Sequence, residues 1–431
     1  MSILIRQGRV VDPANGVDET RDLLVENGAV AKSSPEIKAG AETVIEAAGK
    51  IVMPGLIDMH VHLREPGRED KETVETGTLA ALCGGVTTVL AMPNTEPAMD
   101  SIENVRRLFE IIQKTARCRV LVCGAMTLGR KGEQPVEAHL LERAGVVALS
   151  DDGTSVDSAE VMREVLSRAK ESGLLAVCHC EDRLLSGRGV MSLGYMSTRL
   201  GLRGIPREAE FKRVERDIEL AQMTGCPVHI AHVSCRESVD IIRRAKKKKF
   251  TVTAETAPHY FSLTDAALAD FDTNFKVNPP LREVDDAAAI CDGLKDQTID
   301  CIASDHAPHT ENEKEIEFDR AEFGVIGLET QLAAAITQLV ETGTLSWPEL
   351  VAKLCVNPAR ILGCGRGQLG VGAPADITIV DPAASWQVTK QDFASKSRNS
   401  AFLGRTLKGR VTHTIFDGKV AFARYSPSQK Q

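Results

Sequence analysis

Two histidines one residue apart, His60 and His62, close the apolar run GLIDMHVHL, and Arg64 follows before the helix-hostile Glu-Pro-Gly. If that run is a strand, residues two apart point to the same face, so both imidazoles can reach one cation from a rigid backbone. Further along, other apolar runs end in residues of the same chemistry: Asp151 and Asp152, His179, His232, and Asp305. A lone buried histidine is ordinarily a hydrogen-bonded core residue. A pair at this spacing, with partners at four other run ends, is a metal-ligand pattern. Four histidines and two carboxylates exceed the roughly three protein ligands of a typical catalytic zinc. The count therefore points to two metals sharing a bridging oxygen donor, with a clamped water between them. One of the two adjacent aspartates is the candidate bridge. Imidazole plus carboxylate suits zinc, and also manganese or cobalt.

The elements that must position these residues can be read from the same runs. Apolar, β-rich segments occur at 56–63, 87–93, 119–126, 146–152, 175–182, 227–234, 251–260 and 299–308. Between them lie segments of helical period such as KETVETGTLAALCGG, SIENVRRLFEIIQKTA and DSAEVMREVLSRAKESG. Alternating strands and helices imply parallel pairing with right-handed crossovers, and eight such units imply a (β/α)8 barrel of the TIM type, class α/β. Barrel active sites form at the C-terminal ends of the strands, where the histidines and aspartates cluster. His229 precedes His232 by three, an odd offset that predicts a structural residue facing the helices. Cys178 and Cys180 flank His179 and are expected to pack away from it. His139 and His413 fall outside the strand ends.

Both termini read differently. "NG" at 27–28 and "DG" at 417–418 each separate two apolar runs, a hairpin signal. The expected organisation is a small β-sandwich domain built from residues 1–52 and 366–431, around a hydrolase barrel over 53–365. Segment 183–210 is too long for an ordinary βα loop and is expected to lie over the barrel mouth. Loop 310–322, TENEKEIEFDRAE, is expected to be exposed.

Composition narrows the partners. The 431 residues carry 52 basic and 60 acidic side chains, a net charge of −8, which argues against nucleic acid or an anionic membrane. The basic run RRAKKKKF at 243–250 reads as a solvated helix end. The start MSILIRQGRVVD has no signal-peptide pattern, and no stretch of membrane-spanning length is continuously apolar. Eleven scattered cysteines with no C-x-x-C pair read as reduced thiols of a cytoplasmic protein.

Taken in order, PGLIDMHVHLREPG (54–67), AMPNTEP (91–97), HCED (179–182), KVNPPLR (276–282), ASDHAPHTENEK (303–314), FGVIGLET (323–330) and GAPADITIVDP (372–382) resemble the amidohydrolase superfamily. Within it they resemble the bacterial class I dihydroorotases, over nearly the whole chain. The resemblance implies two zinc ions per subunit. His60, His62 and Asp305 would hold one and His179 and His232 the other, with Asp152 as the bridge and Asp151 the fallback. It implies that Arg64 and Asn94 bind the substrate carboxylate, that His62, Asn278 and His309 also contact substrate, and that the Phe323–Gly324 backbone closes over the ring. The implied reaction is the reversible cyclisation of N-carbamoyl-L-aspartate to (S)-dihydroorotate and water in pyrimidine (UMP) biosynthesis. It would use a metal-bridged hydroxide, with Asp305 as general base and then acid. Hydantoinases, dihydropyrimidinases and allantoinases usually bridge their metals with a carboxylated lysine, and VVALSDDGTS has none. Such a cyclic amidase is the alternative enzyme. A non-catalytic subunit that scaffolds aspartate transcarbamoylase is the alternative of another class. A homodimer, and association of a catalytic chain with that transferase, are expected partners; nucleic acid and membrane are not.

Overall fold

The computed structural model describes residues 2–424. Its first strands belong to the terminal β unit: β1 (Ser2–Asp12), β2 (Val17–Glu26), β3 (Ala29–Ser34), β4 (Thr43–Glu46) and β5 (Ile51–Pro54). The barrel follows with β6 (Leu56–Val61), β7 (Val86–Ala91), β8 (Arg119–Gly124), β9 (Val146–Leu149) and β10 (Leu175–Cys178). A two-residue pair, β11 (Met191–Ser192) and β12 (Gly204–Ile205), interrupts it before β13 (Val228–Ile230), β14 (Val252–Thr256) and β15 (Cys301–Ile302). The chain then returns to the terminal unit as β16 (Ile377–Gln387), β17 (Thr406–Phe416) and β18 (Lys419–Ala423).

The eight barrel strands pair in the order β15-β14-β13-β10-β9-β8-β7-β6, all parallel. A parallel bridge from Val61 to His306, with His62 N–H donating to the His306 carbonyl at 2.9 Å, brings the first strand against the segment after the eighth. All eight runs read from the sequence are barrel strands, because a strand buried on both faces reads as a continuous apolar run. The helical segments form as expected at Val74–Cys83, Ile102–Thr115 and Ala159–Glu171, with N-caps from Thr73, Ser101 and Ser158. The main apolar core lies between strands and helices and includes Cys178 and Cys180, which face away from His179. A smaller cluster, including Leu90, Cys123, Ala148 and Val177, fills the barrel interior.

Both termini contribute to one hydrogen-bonded sheet, in the order β18-β17-β16-β5-β1-β2-β3, with β4 also on β1. The first half of β1 pairs with β4 and the second half with β5. The two hairpin turns form where expected. Asn27 and Gly28 have φ of 52° and 80°, and Asp417 and Gly418 have 46° and 72°. Both central residues are thus left-handed, the requirement that selects Asn-Gly and Asp-Gly.

Segment 183–210 packs Val190, Met191 and Met196 against Tyr260, Leu281, Phe318 and Val325. Loop 310–322 departs from the expectation of exposure: Lys314, Phe318 and Ala321 are buried. The reason is carbonyl satisfaction. Lys276 Nζ donates to the carbonyls of Phe318 (2.8 Å), Asp319 (3.2 Å) and Ala321 (2.5 Å). Lys314 Nζ donates to those of Glu322 (2.8 Å) and Gly324 (3.0 Å). Two ammonium groups therefore answer backbone acceptors that the irregular loop leaves unpaired.

Burial pushes the Lys314 ammonium down from 10.5 to about 7. The folded chain releases this proton near pH 7 and the unfolded chain only near 10.5, so between these values the unfolded state binds more protons and stability rises with pH. Lys314→Met should remove that rise. Denaturant midpoints measured across the window are expected to diverge progressively in favour of the wild type; parallel curves would contradict the burial of a titrating lysine.

Candidate metal centre

The donor residues leave the barrel at the C-terminal ends of five strands. His60 lies within β6 and His62 immediately follows it; Asp152, His179, His232 and Asp305 follow β9, β10, β13 and β15. The strands are shorter than the apolar runs suggest, so most donors sit on the first residues of the turns. Three site residues adopt left-handed backbone: Arg64 (φ 60°), His232 (34°) and Asp305 (49°). Such conformations cost about 1–3 kcal/mol each and persist where the surroundings over-determine them.

Asp152 is the hub. Its Oδ1 lies 3.2 Å from His60 Nε2, 3.4 Å from His232 Nε2 and 3.5 Å from His179 Nδ1, and its Oδ2 lies 3.4 Å from His62 Nε2. Asp305 Oδ1 is 3.7 Å from His60 Nε2 and 3.6 Å from His62 Nε2. Burial pushes the Asp152 carboxyl up, but His60, His179 and His232 outweigh it and hold it well below the usual carboxylate range. Burial likewise opposes Asp305, and His62, His60 and His232 bring it down to about 2. The neighbouring Asp151 points elsewhere. It accepts from Met126 N–H (2.8 Å), Thr127 N–H (3.1 Å) and the Thr127 hydroxyl.

Five of the donor residues, all but His179, fall into groups that fit a cation. Donor atoms of His60, Asp152 and His232 lie within 4.8 Å of one another, as do those of His60, His62 and Asp305. His60 Nε2 is buried with no hydrogen-bond partner among the described residues, and it faces a space bordered by the Asp152 and Asp305 oxygens. An imidazole and carboxylate set of this kind suits zinc or a similar divalent ion.

Outside the donors stands a layer of orienting groups. His62 Nδ1 lies 2.7 Å from Asn94 Oδ1, which leaves the Asn94 amide N–H groups for another acceptor. Glu181 accepts from His179 Nε2 (3.1 Å) and from Asn278 Nδ2 (3.0 Å), so the Asn278 amide is engaged beside the centre. His60 Nδ1 lies 2.8 Å from Glu255 Oε1. Sequence reasoning missed Glu181 and Glu255, and also His259, whose buried Nε2 has no hydrogen-bond partner among the described residues and is 4.0 Å from Asp305 Oδ2. The signal was present for Glu255 and His259: both are polar residues within one apolar run. His229 is a correction. It pairs in register with Val177, an interior residue, and so points into the barrel. The strand ends at Ile230 and His232 lies on a left-handed turn, so the odd offset carried no information about faces. His139 is exposed and His413 lies on β17, both away from the centre.

A second subsite adjoins the donors. The half-buried Arg64 donates from Nε to the Pro308 carbonyl (3.2 Å) and makes no ion pair among the described residues. His309 Nε2 donates to the Phe323 carbonyl at 2.8 Å and its Nδ1 accepts from Lys71 at 3.2 Å, which fixes its tautomer. Burial, with Arg64 and Lys71 nearby, pushes His309 down to about 3 and keeps it neutral. Gly324 has φ 125°, and a Cβ there would lie 2.7 Å from Ala307 Cβ and 3.1 Å from His309 Nε2. Only glycine lets this backbone close on the subsite.

A sequence profile of the family described as "Dihydro-orotase-like" matches residues 49–238. The chain is 52% identical to the dihydroorotase of Geotalea daltonii over 98% of its own length and 100% of that protein's. It is 50% identical to the dihydroorotase of Geobacter metallireducens, again over 98% and 100%. Among solved structures it is similar to an L-hydantoinase (dihydropyrimidinase) from Arthrobacter aurescens, with a TM-score of 0.88 at 25% identity, covering 97% of this chain and 95% of that one.

The two adjacent aspartates should separate cleanly by mutation. Asp152→Ala is expected to lose bound metal, measured by atomic absorption after gel filtration. Asp151→Ala is expected to keep its metal and lose about 1–3 kcal/mol of stability, because it strands three buried donors. The reverse pattern would make Asp151 the bridge.

Proposed function

The chain belongs to the dihydroorotase family, and from that membership we propose that it catalyses the reversible ring closure of N-carbamoyl-L-aspartate to (S)-dihydroorotate and water. The observation that carries the reading is Arg64, a half-buried cation that makes no ion pair among the described residues, set beside a carboxylate-and-imidazole donor cluster. A substrate with a fixed carboxylate supplies the missing partner, and a planar guanidinium can meet it with two parallel charge-assisted hydrogen bonds. Neutral hydantoins and dihydropyrimidines offer no such group, which disfavours the related cyclic amidases.

We assign two zinc ions to the donors, held by His60, His62 and Asp305 and by His179 and His232, with Asp152 between them. When bound, they would lower the pKa of a water and polarise the ring carbonyl. The remaining work falls to this chain's side chains. In the hydrolytic direction, Asp305 accepts the proton of the attacking water, and the same carboxyl then delivers it to the ring nitrogen as the carbon–nitrogen bond breaks. Its Oδ1 faces His60 and His62, which leaves Oδ2 for that proton. Arg64 and the free amide N–H of Asn94 hold the substrate carboxylate. His62, Asn278 and His309 border the substrate, and the Phe323–Gly324 backbone covers the ring.

Barrel residues 53–365 would carry this chemistry, with 1–52 and 366–431 as its β unit. No described helix is long and apolar enough to cross a membrane. The mostly buried, unpaired cysteines suit a reducing compartment, and we place the enzyme in the cytoplasm. We further propose a homodimer and docking on aspartate transcarbamoylase. Segment 183–203 supports a protein partner of acidic surface: it contains no carboxylate, and it exposes Leu184, Leu193 and Tyr195 among the exposed arginines 183, 188, 199 and 203. Co-elution of the two enzymes in gel filtration should be lost in Arg188→Glu/Arg199→Glu; co-elution that persists removes this face from the account.

The activity is tested by cyclisation of N-carbamoyl-L-aspartate before chelation, after it, and after zinc is restored. Turnover should disappear and return. Asp305→Asn should abolish it, and Arg64→Met should raise KM far more than it lowers kcat. Near-normal turnover in Asp305→Asn would overturn the proton-transfer assignment, and protein that holds two metals without turnover would point to a different cyclic amide.

A further inference from the structure

Beneath the donor cluster lies a group of buried polar side chains that the reaction above does not use. His229 pairs in register with Val177 on one side and with Thr253 on the other, and Val177 packs inside the barrel. His229 and Thr253 therefore point inward, as does Glu255, two residues beyond Thr253 on the same strand. His229 is fully buried and Glu255 only 1% exposed.

Their contacts run in one chain. Thr253 Oγ1 is 2.8 Å from His229 Nδ1, His229 Nε2 is 3.3 Å from Glu255 Oε2, and Glu255 Oε1 is 2.8 Å from His60 Nδ1. Neither His229 Nε2 nor Glu255 Oε2 has a hydrogen-bond partner among the described residues, so their 3.3 Å approach is a close ionic contact. An ionised carboxylate can only accept, so His60 Nδ1 must carry a proton, and His229 Nε2 faces the same carboxylate favourably only as an N–H. His229 Nδ1 is then an acceptor, and the Thr253 hydroxyl donates to it. His60, protonated at Nδ1, is left with a lone pair at Nε2, the atom that faces Asp152 and Asp305.

We propose that Glu255, held in place by His229 and Thr253, is a positioning residue that fixes His60 as the Nδ1–H tautomer and aims its Nε2 at the metal. The inference rests on the reading of the donor cluster as a metal centre. His62 and His179 are oriented differently, by the neutral Asn94 and by the less buried Glu181. His60 is backed by a carboxylate that is itself almost fully buried, and it is the one residue common to both donor groups among the described residues. A carboxylate behind a ligand imidazole sets its orientation and raises its basicity.

The test is zinc affinity by chelator competition, with the metal-free thermal midpoint measured alongside. Wild type that binds no zinc would refute the metal centre itself. With zinc bound by the wild type, Glu255→Gln should weaken affinity roughly 10–100-fold while its metal-free midpoint stays near that of the wild type. His229→Leu should also weaken binding, and His229→Gln, whose amide can still donate to Glu255, should recover most of the loss. Wild-type affinity in Glu255→Gln would overturn the proposal. Should that variant fail to fold, nitrogen-15 NMR of the wild-type histidines decides the question: His60 protonated at Nδ1 supports the assignment, and His60 protonated at Nε2 in the metal-free protein overturns it.

Discussion

A buried carboxylate must be answered by its surroundings, and Asp152 is answered by four imidazoles from three different strands. Isolated in an apolar barrel, an anion would cost far more than the fold could bear. Here the histidines of β6, β10 and β13 converge on it, and each offers nitrogen rather than hydrocarbon. That convergence requires a closed barrel, since only closure brings the first and eighth strands side by side and Asp305 next to His60 and His62. Asp151 serves the same end from outside. Its bonds to Met126 and Thr127 pin the turn, so that the next carboxylate has one direction left to point.

Around this hub the site divides into two halves of opposite character. The donor half satisfies its charges internally, through Asn94, Glu181 and Glu255. The half proposed to bind substrate does the reverse. Arg64 is kept partly from water and makes no ion pair among the described residues, and His309 beside it is held neutral. Such a half-site favours a ligand that brings its own carboxylate, because a ligand without one leaves the guanidinium unanswered. The buried lysines 276 and 314 belong to the same design. By binding the carbonyls of residues 318–324 they hold the Phe323–Gly324 backbone against His309.

Much of this was legible in the sequence, and the limits have physical causes. Barrel strands buried on both faces announce themselves as apolar runs, and Asn-Gly and Asp-Gly announce hairpins, because each signal depends only on local chemistry. The ends of the strands were not legible. Pairing stops before the apolar runs do, and His232 and Asp305 fall on left-handed turns that a period-two pattern cannot foresee. For that reason the odd offset from His232 points to the wrong face for His229, which lies inside the barrel. Glu255 sat in plain view inside an apolar run, but its partner His60 is 195 residues away, and no local pattern connects them. Loop 310–322 looked exposed because its charges were counted as wanting water, whereas Lys314 finds carbonyls instead.

The central claim is that Asp152 bridges two metal ions. The most direct test is a crystal structure of zinc-loaded protein with anomalous data collected on both sides of the zinc edge. The account predicts two peaks about 3.5–4 Å apart, with one Asp152 oxygen near each. A single peak, or a pair with Asp152 turned away, would contradict it.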